Sequence, residues 1–302
     1  MTLTINDISY KPYFINKTGY YLEKYRANHN VKIGVDATFV IHLVNNGRLD
    51  AVKDQFKSYG PSKYVYILYN EGYKCGKKTH NIVDAATDLI DSYLYIFKFA
   101  KDNNLNNILI LEDDFFFDPL ILNPIHQRPI KYFLKNNIYD TFYLGCLPYF
   151  RKELDEYHSK VLISTGTHSV IYSKKLIDQT LNCIQAPLKV GDWDVYLKLF
   201  NQFMTNRPYC YQLFPETENQ KQWGKNIGFK NSILKKQVVR KMIWLIRELH
   251  LDKTHEIGFP YYYTISKINY EKMIDTKKNM FNKYTQKING LKKIITILRD
   301  PV

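Results

Sequence analysis

The sequence has few of the features that mark zinc-binding, secreted or membrane-spanning proteins. It contains four cysteines, and no two of them have the Cys-x-x-Cys spacing that is typical of zinc sites. No run of about 20 apolar residues is present, as a membrane-spanning helix would require. The first residues also lack the apolar core of a signal peptide. We therefore expect a soluble protein with reduced thiols that is cytoplasmic or peripheral to a membrane.

Glycine-rich phosphate-binding loops are also missing. Neither G-x-x-x-x-G-K-[ST] nor G-x-G-x-x-G occurs, which argues against P-loop nucleotidases and dinucleotide-binding enzymes. Internal repeats and low-complexity linkers are absent as well. The content of 45% hydrophobic and 24% charged residues is ordinary for a globular protein. A chain of 302 residues is long enough for one large domain, or for one domain with an appendage.

The chain is strongly basic. It has 43 Lys and Arg against 29 Asp and Glu, which gives a formal net charge of +14. Such an excess suits a nucleic acid, an anionic membrane surface or a phosphorylated substrate as partner. It is also compatible with lysines that are simply solvated on the surface, so charge alone leaves these alternatives open.

Apolar runs and helical periodicity predict an α/β domain over residues 36–225, preceded by a polar, tyrosine-rich segment at 1–35. The predicted elements are strand 38–43, helix 49–58, strand 64–69, helix 82–100, strand 108–111, strands 141–147 and 168–173, helices 174–184 and 194–203, and strand 209–214. The first three strands are continuously apolar and alternate with helices, which is typical of a mostly parallel sheet with helices on both faces. Residues 226–302 are predicted to form a basic, helical C-terminal extension.

Three consecutive acids, Glu112, Asp113 and Asp114, follow the apolar run 108–111 and precede three phenylalanines. Such a cluster can be a solvated turn or a helix cap. Between two apolar stretches, however, uncompensated carboxylates would cost several kcal/mol or shift their pKa values. A divalent cation would offset that cost, and hard oxygen ligands suit Mg²⁺ or Mn²⁺ with phosphates completing the shell. Asp118, four residues further on, is interpreted as a cap or turn residue.

Five segments occur in an order that resembles glycosyltransferase family 25, which includes lipooligosaccharide and procollagen galactosyltransferases. The segments are FVIHLVNNGRLDAVKDQF, IFKFAKDNNLNNILILEDDFFFD, FYLG, TGTHSVIYSKKLID and VGDWDVYL. Together they span roughly residues 36–225. The chain departs from the family pattern where a Gly-Cys-x-x-Ser-His segment would precede the acids, because residues 81–86 read NIVDAA. The opening turn carries a single arginine, Arg48.

The resemblance implies a GT-A fold, which is Rossmann-like, and an inverting transfer of a hexose from a UDP-sugar. Galactose or glucose is favoured, and the acceptor would be a hydroxyl of a glycan, a glycolipid or a collagen-like protein. The resemblance also implies Mn²⁺ or Mg²⁺ at the acidic motif. On this interpretation Asp114 is the first choice for a direct metal ligand. Glu112 would contact the metal or the ribose, and Asp113 could do either.

Inversion requires a general base that deprotonates the acceptor hydroxyl. The candidates are Asp192 and Asp194, which the sequence does not separate, and the second of them could instead cap the helix that begins there. Trp193 lies between them. It could stack on a sugar face, or it could be an ordinary core aromatic.

Polar residues at the predicted strand ends are the candidates for binding the UDP-sugar. His42, Asn45 and Arg48 follow the first strand, and Tyr69 and Asn70 end the second. Contacts to the nucleobase or the diphosphate are predicted for them, although for His42 alone a buried histidine with a satisfied hydrogen bond is the commoner explanation.

Two further residues, Thr167 and His168, are candidates for contacts with the transferred sugar or the acceptor.

The main rival interpretation is a metal-dependent nuclease or a nucleic-acid-binding protein, since acids and a net positive charge would suit both. Against it, no Glu-x-Lys follows the acids, and the basic residues concentrate near the C-terminus. No nucleic acid is therefore expected as partner. An inactive transferase kept as a scaffold is a further alternative. The basic extension could pack on the catalytic domain or rest on an anionic membrane, close to a glycolipid acceptor.

Overall fold

The computed structural model describes residues 13–15, 19–79, 82–183 and 193–212 of the chain. Asp192 and the predicted C-terminal extension, 226–302, lie outside the described residues. Within the described ranges, no helix combines the length and the apolar character that crossing a bilayer would require.

The described residues alternate between strands and helices along the chain. The strands are β1 (Tyr13–Ile15), β2 (Tyr20–Arg26), β3 (Ala37–Leu43), β4 (Tyr64–Asn70), β5 (Asn107–Glu112), β6 (Phe115–Phe117), β7 (Thr141–Glu153), β8 (His158–Ser173), β9 (Gln202–Thr205) and β10 (Cys210–Gln212). The helices are α1 (Leu49–Ser58), α2 (Ala85–Asp102), α3 (Pro124–Asn136), α4 (Lys174–Cys183) and α5 (Trp193–Leu197), with short 3-10 helices at Tyr73–Cys75 and Pro119–Leu122.

One eight-stranded sheet, in the order β1-β2-β4-β3-β5-β8-β7-β9, forms the centre of the described fold. β3 pairs in parallel with both β4 and β5, which confirms the parallel arrangement predicted for these three strands. β2 and β8 flank this parallel core in antiparallel orientation. The sheet is therefore mixed rather than mostly parallel, because β7 and β8 form a hairpin, and a hairpin joins antiparallel strands.

Helices cover both faces of the sheet, as predicted. α2, α4 and α5 pack on one face and α1 and α3 on the other. The central strand β3 shows how the sequence achieves this. Phe39 and Ile41 belong to the hydrophobic core beneath α2, α4 and α5, whereas Val40 between them belongs to the core beneath α1 and α3. Since successive side chains of a strand point to opposite faces, a strand buried on both sides must be continuously apolar.

β1, β6 and α3 have no counterpart among the predicted elements, and two further segments differ from their prediction. Residues 194–203 were predicted as one helix, but α5 ends at Leu197 and β9 follows as a strand paired with β7 and β8. β2, with Tyr20 and Leu22 buried in the core, lies in the polar segment predicted to precede the main domain. In both segments cross-strand pairing outweighs local propensity.

Asp118 has the role that the sequence predicted for it. Its side chain accepts a hydrogen bond from the backbone N–H of Leu120 at 2.9 Å and caps the 3-10 helix at Pro119–Leu122. The same carboxylate pairs with Arg207 at 2.8 Å.

Gly145 allows the two-stranded ribbon of β6 and β10 to lie directly on β7. A Cβ atom at this position would overlap the backbone carbonyl oxygen of Cys210 and come within 2.9 Å of Nε2 of His168. The neighbouring Tyr209 donates its N–H to the carbonyl of Leu144 at 2.7 Å. The ribbon includes Gln212, so the missing side chain of Gly145 helps to position residues beside the acidic cluster.

We expect Gly145→Ala to lower the free energy of unfolding by about 3 kcal/mol, because backbone atoms of β10 would have to move. Gly76→Ala is the control, since Gly76 has a φ of +73° but nothing within 4 Å of its added Cβ. It should cost only about 1 kcal/mol. Urea denaturation followed by circular dichroism measures both, and equal losses would contradict the packing role.

Candidate functional site

The acidic cluster lies at the carboxyl end of the parallel core. Glu112 is the last residue of β5, and Asp113 and Asp114 form the turn that leads into β6. Glu112 is half-buried, whereas Asp113 and Asp114 are only 8% and 4% exposed. Because the carboxyl ends of parallel strands share one edge of the sheet, side chains that follow β3 can reach this cluster.

Asp113 is surrounded by hydrogen-bond donors. Its Oδ2 atom accepts from Nδ1 of His42 at 2.9 Å, the N–H of Leu43 at 3.0 Å and Nδ2 of Asn46 at 2.5 Å. Its Oδ1 atom accepts from Nη1 of Arg48 at 2.7 Å. Burial alone would raise the pKa of Asp113, but the hydrogen bond from His42 and the charge of Arg48 outweigh it and hold the pKa below its usual value. Asp113 is therefore an ionised carboxylate whose oxygens are already engaged.

The turn after β3 delivers these donors. Asn45 is exposed and has a φ of +64°, a left-handed conformation that asparagine tolerates better than most residues. Asn46 then accepts the N–H of Arg48 through its Oδ1 atom at 3.0 Å, as in an Asx turn. Sequence reasoning did not select Asn46 as a site residue, although an Asn-Asn-Gly turn at a strand end is a local signal for it.

Glu112 occupies a different environment. Its Oε1 atom accepts hydrogen bonds from Oγ1 of Thr167 at 2.7 Å and from the hydroxyl of Tyr93 at 3.3 Å. Burial, together with the negative charges of Asp194 and Asp113, raises the pKa of Glu112 to about 7, although the hydrogen bonds from Thr167 and Tyr93 lower it. Asp194, in the first turn of α5, thus lies close enough to interact electrostatically with Glu112.

Asp114 is also held with a raised pKa. Nε2 of Gln212 donates to both of its oxygens, at 3.0 and 3.2 Å, and Nη1 of Arg48 lies 4.0 Å away. Burial raises the pKa of Asp114 to about 7, and the charges of Glu112 and Asp113 act in the same direction. Gln212 was not predicted, because its contact depends on the register between β10 and β6, where it pairs with Phe115.

The two carboxylates with raised pKa values match part of a divalent-cation site. In the described part of the chain, no three His, Cys, Asp or Glu side chains converge as a complete set of metal ligands. Glu112 and Asp114 nevertheless supply hard oxygens, and the charge of Glu112 helps to raise the pKa of Asp114. Mg²⁺-type ions are commonly bound through one or two carboxylates, with water and phosphate completing the shell. The available ligands therefore fit such an ion with Asp113 excluded from direct coordination.

The second predicted strand end is occupied by contacts within the fold. Asn70 is 4% exposed and donates to Oδ2 of Asp88 at 2.9 Å and to Ser92 at 3.1 Å. The hydroxyl of Tyr69 donates to Glu23 at 2.6 Å. Both side chains thus tie β4 to its neighbours, α2 and β2.

Trp193 lies in the core. Its ring stacks on Tyr93 and Tyr196, with centroid distances of 4.8 and 5.2 Å, and it is 4% exposed. Its Nε1 atom donates to the hydroxyl of Tyr172 at 3.1 Å. With neighbours stacked on it and its N–H bonded, Trp193 matches the core-aromatic interpretation and anchors α5, which carries Asp194.

His168 is also enclosed by the fold. It is 1% exposed, and its Nε2 atom lies 3.3 Å from the carbonyl oxygen of Cys210. Burial lowers the pKa of His168 to about 4, so the ring is neutral at physiological pH. Thr167 beside it reaches the acidic cluster through Glu112. Of the two, only Thr167 touches an acidic residue of the site.

Comparisons with known proteins give little independent guidance. No protein-family model matches the chain, and no curated protein matches it. One solved structure that it resembles is a glycosyltransferase involved in the glycosylation of the major capsid of PBCV-1. The two chains are 12% identical with a TM-score of 0.36, and the match covers 63% of this chain and 98% of that one. A likeness this distant supports no conclusion about fold or function, so the functional assignment rests on the geometry of the site.

The opposite pKa shifts of neighbouring acids predict opposite effects on stability. At pH 8 with a chelator present, Asp113→Asn should lower the free energy of unfolding by about 3 kcal/mol, because it removes a buried charge that stabilises the fold and that pairs with Arg48 at 2.7 Å. Asp114→Asn should be neutral or stabilising. The folded-state pKa of Asp114 exceeds that of an unfolded aspartate, so its ionisation opposes folding at this pH.

Chemical denaturation of the two variants beside the wild type measures this difference. Equal losses in both variants would show that the acids share one structural role.

Proposed function

We propose that this chain is a metal-dependent, inverting glycosyltransferase that moves galactose or glucose from a UDP-sugar to a hydroxyl of a glycan, glycolipid or protein acceptor. The observation that carries the proposal is the division within the acidic cluster. Asp113 is fully engaged in hydrogen bonds, whereas Glu112 and Asp114 are held at the carboxyl edge of the parallel core with pKa values raised to about 7. Buried carboxylates with raised pKa values are typical of functional sites, and in α/β sheets ligands bind at the carboxyl ends of the strands.

Asp114 and Glu112 are the residues that would hold the metal. A bound Mn²⁺ or Mg²⁺ would neutralise the diphosphate as it leaves the sugar. Asp113 fixes the turn between them, since donors from β3 and from the start of α1 converge on it. Its role is to position the two ligands.

Arg48 supplies a fixed positive charge beside the proposed metal ligands. Its side chain is 18% exposed, and its Nη1 atom lies 2.7 Å from Asp113 and 4.0 Å from Asp114. A guanidinium held by a buried carboxylate in this way is oriented before any ligand arrives. We assign Arg48 to contact with the diphosphate.

The general base is assigned to Asp194 or Asp192. The electrostatic influence of Asp194 on Glu112 supports its nearness to the proposed metal ligands. Trp193, packed in the core, holds the first turn of α5 in place, so the carboxylate of Asp194 is carried on a rigid element. Asp192 lies outside the described residues and remains the alternative.

Nucleotide binding tests the proposed metal ligands. We expect UDP to bind the wild-type chain measurably in isothermal titration calorimetry only when Mn²⁺ or Mg²⁺ is present. Asp114→Asn and Glu112→Gln should each weaken this binding at least tenfold, because each removes a charged ligand of the ion. Asp54→Asn, an exposed acid on α1, is the matched control and should bind as the wild type does.

Absence of UDP binding with metal present would overturn the proposal. Tight, salt-sensitive binding of DNA or RNA without UDP binding would favour the nuclease or nucleic-acid-binding interpretation instead.

Turnover tests the base. With a panel of UDP-sugars and Mn²⁺, Asp194→Asn should lower kcat about a hundredfold or more, since a general base contributes that much to such reactions. The metal-dependent affinity for UDP should stay unchanged. Asp192→Asn is made in parallel. Full activity of the Asp194→Asn variant together with loss of activity in Asp192→Asn would transfer the role to Asp192.

A further inference from the structure

Helix α3 exposes large apolar side chains to solvent along its length. Leu122, just before the helix, is 39% exposed, and Ile125 and Tyr132 on it are 62% and 68% exposed. Ile138, just after the helix, is 81% exposed. These four residues are called the α3 face below. Apolar side chains exposed singly are common, but four of them between residues 122 and 138 require an explanation.

The α3 face is separate from the face that packs against the sheet. Ile130, Phe133 and Leu134 are buried in the core beneath the helix. Ile125 and Tyr132 are seven residues apart, two turns along the helix, so they lie on the same outer side. The helix therefore has apolar side chains on two sides, and within the described ranges of the chain only one of them is covered.

Cations flank the α3 face without any acid. Arg128, Lys131 and Lys135 are all exposed on α3. They project beside Ile125 and Tyr132, about 40 to 120° further around the helix axis at 100° per residue. No Asp or Glu occurs between residues 119 and 139. A helix that combines exposed isoleucine and tyrosine with a purely cationic flank is the pattern of an element that lies in the interface of an anionic membrane.

We propose that the α3 face docks on an anionic lipid bilayer, with Ile125 and Tyr132 entering the boundary between headgroups and acyl chains. Arg128, Lys131 and Lys135 would contact the lipid phosphates. This docking is independent of the reaction proposed above, because it uses none of the residues of the acidic cluster.

The charges on the chain argue against other occupants. A second copy of the chain would bring two cationic flanks together on the same face. Residues 226–302 contain 16 Lys and Arg against 6 Asp and Glu, so this segment has the same sign as the α3 flank. A nucleic acid would pair with the lysines but would gain little from exposed isoleucines, whereas a bilayer satisfies both.

Vesicle co-sedimentation of the full chain tests the docking. Wild-type protein should bind vesicles of phosphatidylcholine with 30% phosphatidylglycerol and should bind pure phosphatidylcholine much more weakly. The double variant Ile125→Asn with Tyr132→Asn should lose at least tenfold in partition coefficient. Val83→Asn with Leu154→Asn, which changes two apolar residues exposed elsewhere, should retain wild-type binding.

A double substitution of lysines tests the contribution of the lipid phosphates separately from that of the apolar side chains. Lys131→Gln with Lys135→Gln should weaken binding to the anionic vesicles about thirtyfold, since each lysine near an anionic surface contributes about 1 kcal/mol and about 1.4 kcal/mol corresponds to a factor of ten. Lys98→Gln with Lys101→Gln, two exposed lysines of α2, is the control that should change binding little. Circular dichroism melting checks that all variants are folded.

Two outcomes would overturn the proposal. If the α3 variants bind anionic vesicles as tightly as the wild type, another part of the chain is responsible for any binding. If light scattering shows a dimer in the wild type and a monomer in the Ile125→Asn, Tyr132→Asn variant, the face serves self-association.

Discussion

The carboxylate of Asp113 is the contact on which the arrangement of the site depends. Four donors from the end of β3, from the turn after it and from the start of α1 converge on this one side chain. A buried carboxylate with one partner would be costly, whereas Asp113 accepts three hydrogen bonds at Oδ2 and one from Arg48 at Oδ1, which together fix its position. It locks the end of β5 to the end of β3, and so sets the direction in which Glu112 and Asp114 leave the sheet.

The same contact explains why the two acids beside Asp113 have raised pKa values. Since Asp113 takes the nearby cation and amide donors, Glu112 is left with hydroxyl partners and Asp114 mainly with Gln212. Their pKa values rise, whereas that of Asp113 falls. Such strain between neighbouring acids destabilises the fold slightly and is compatible with a site whose stability is completed by a ligand. Three adjacent acids in the sequence are therefore three different chemical groups in the structure.

The features that the sequence predicted well are those governed by local patterns. β3, β4 and β5 are continuous apolar runs, and α1 and the apolar side of α2 have clear helical spacing, so the parallel core and its helices could be anticipated. β9 could not, because a four-residue edge strand is stabilised by its pairing with β7 and β8. Gln212 reaches Asp114 only through the β6–β10 register, and local sequence does not encode that contact. The sequence leaves open whether Trp193 stacks on a sugar or is a core aromatic. Only its stacking on Tyr93 and Tyr196 in the structure distinguishes the two.

The central claim is that Asp113 organises the site while Glu112 and Asp114 bind the ion. Anomalous diffraction from a crystal of this chain grown with Mn²⁺ and UDP would test it most directly. We expect one manganese peak about 2.1 Å from a carboxylate oxygen of Asp114, with Glu112 nearby and Asp113 still bonded to His42 and Arg48. A manganese ion coordinated by Asp113, or no peak at this edge of the sheet, would contradict it.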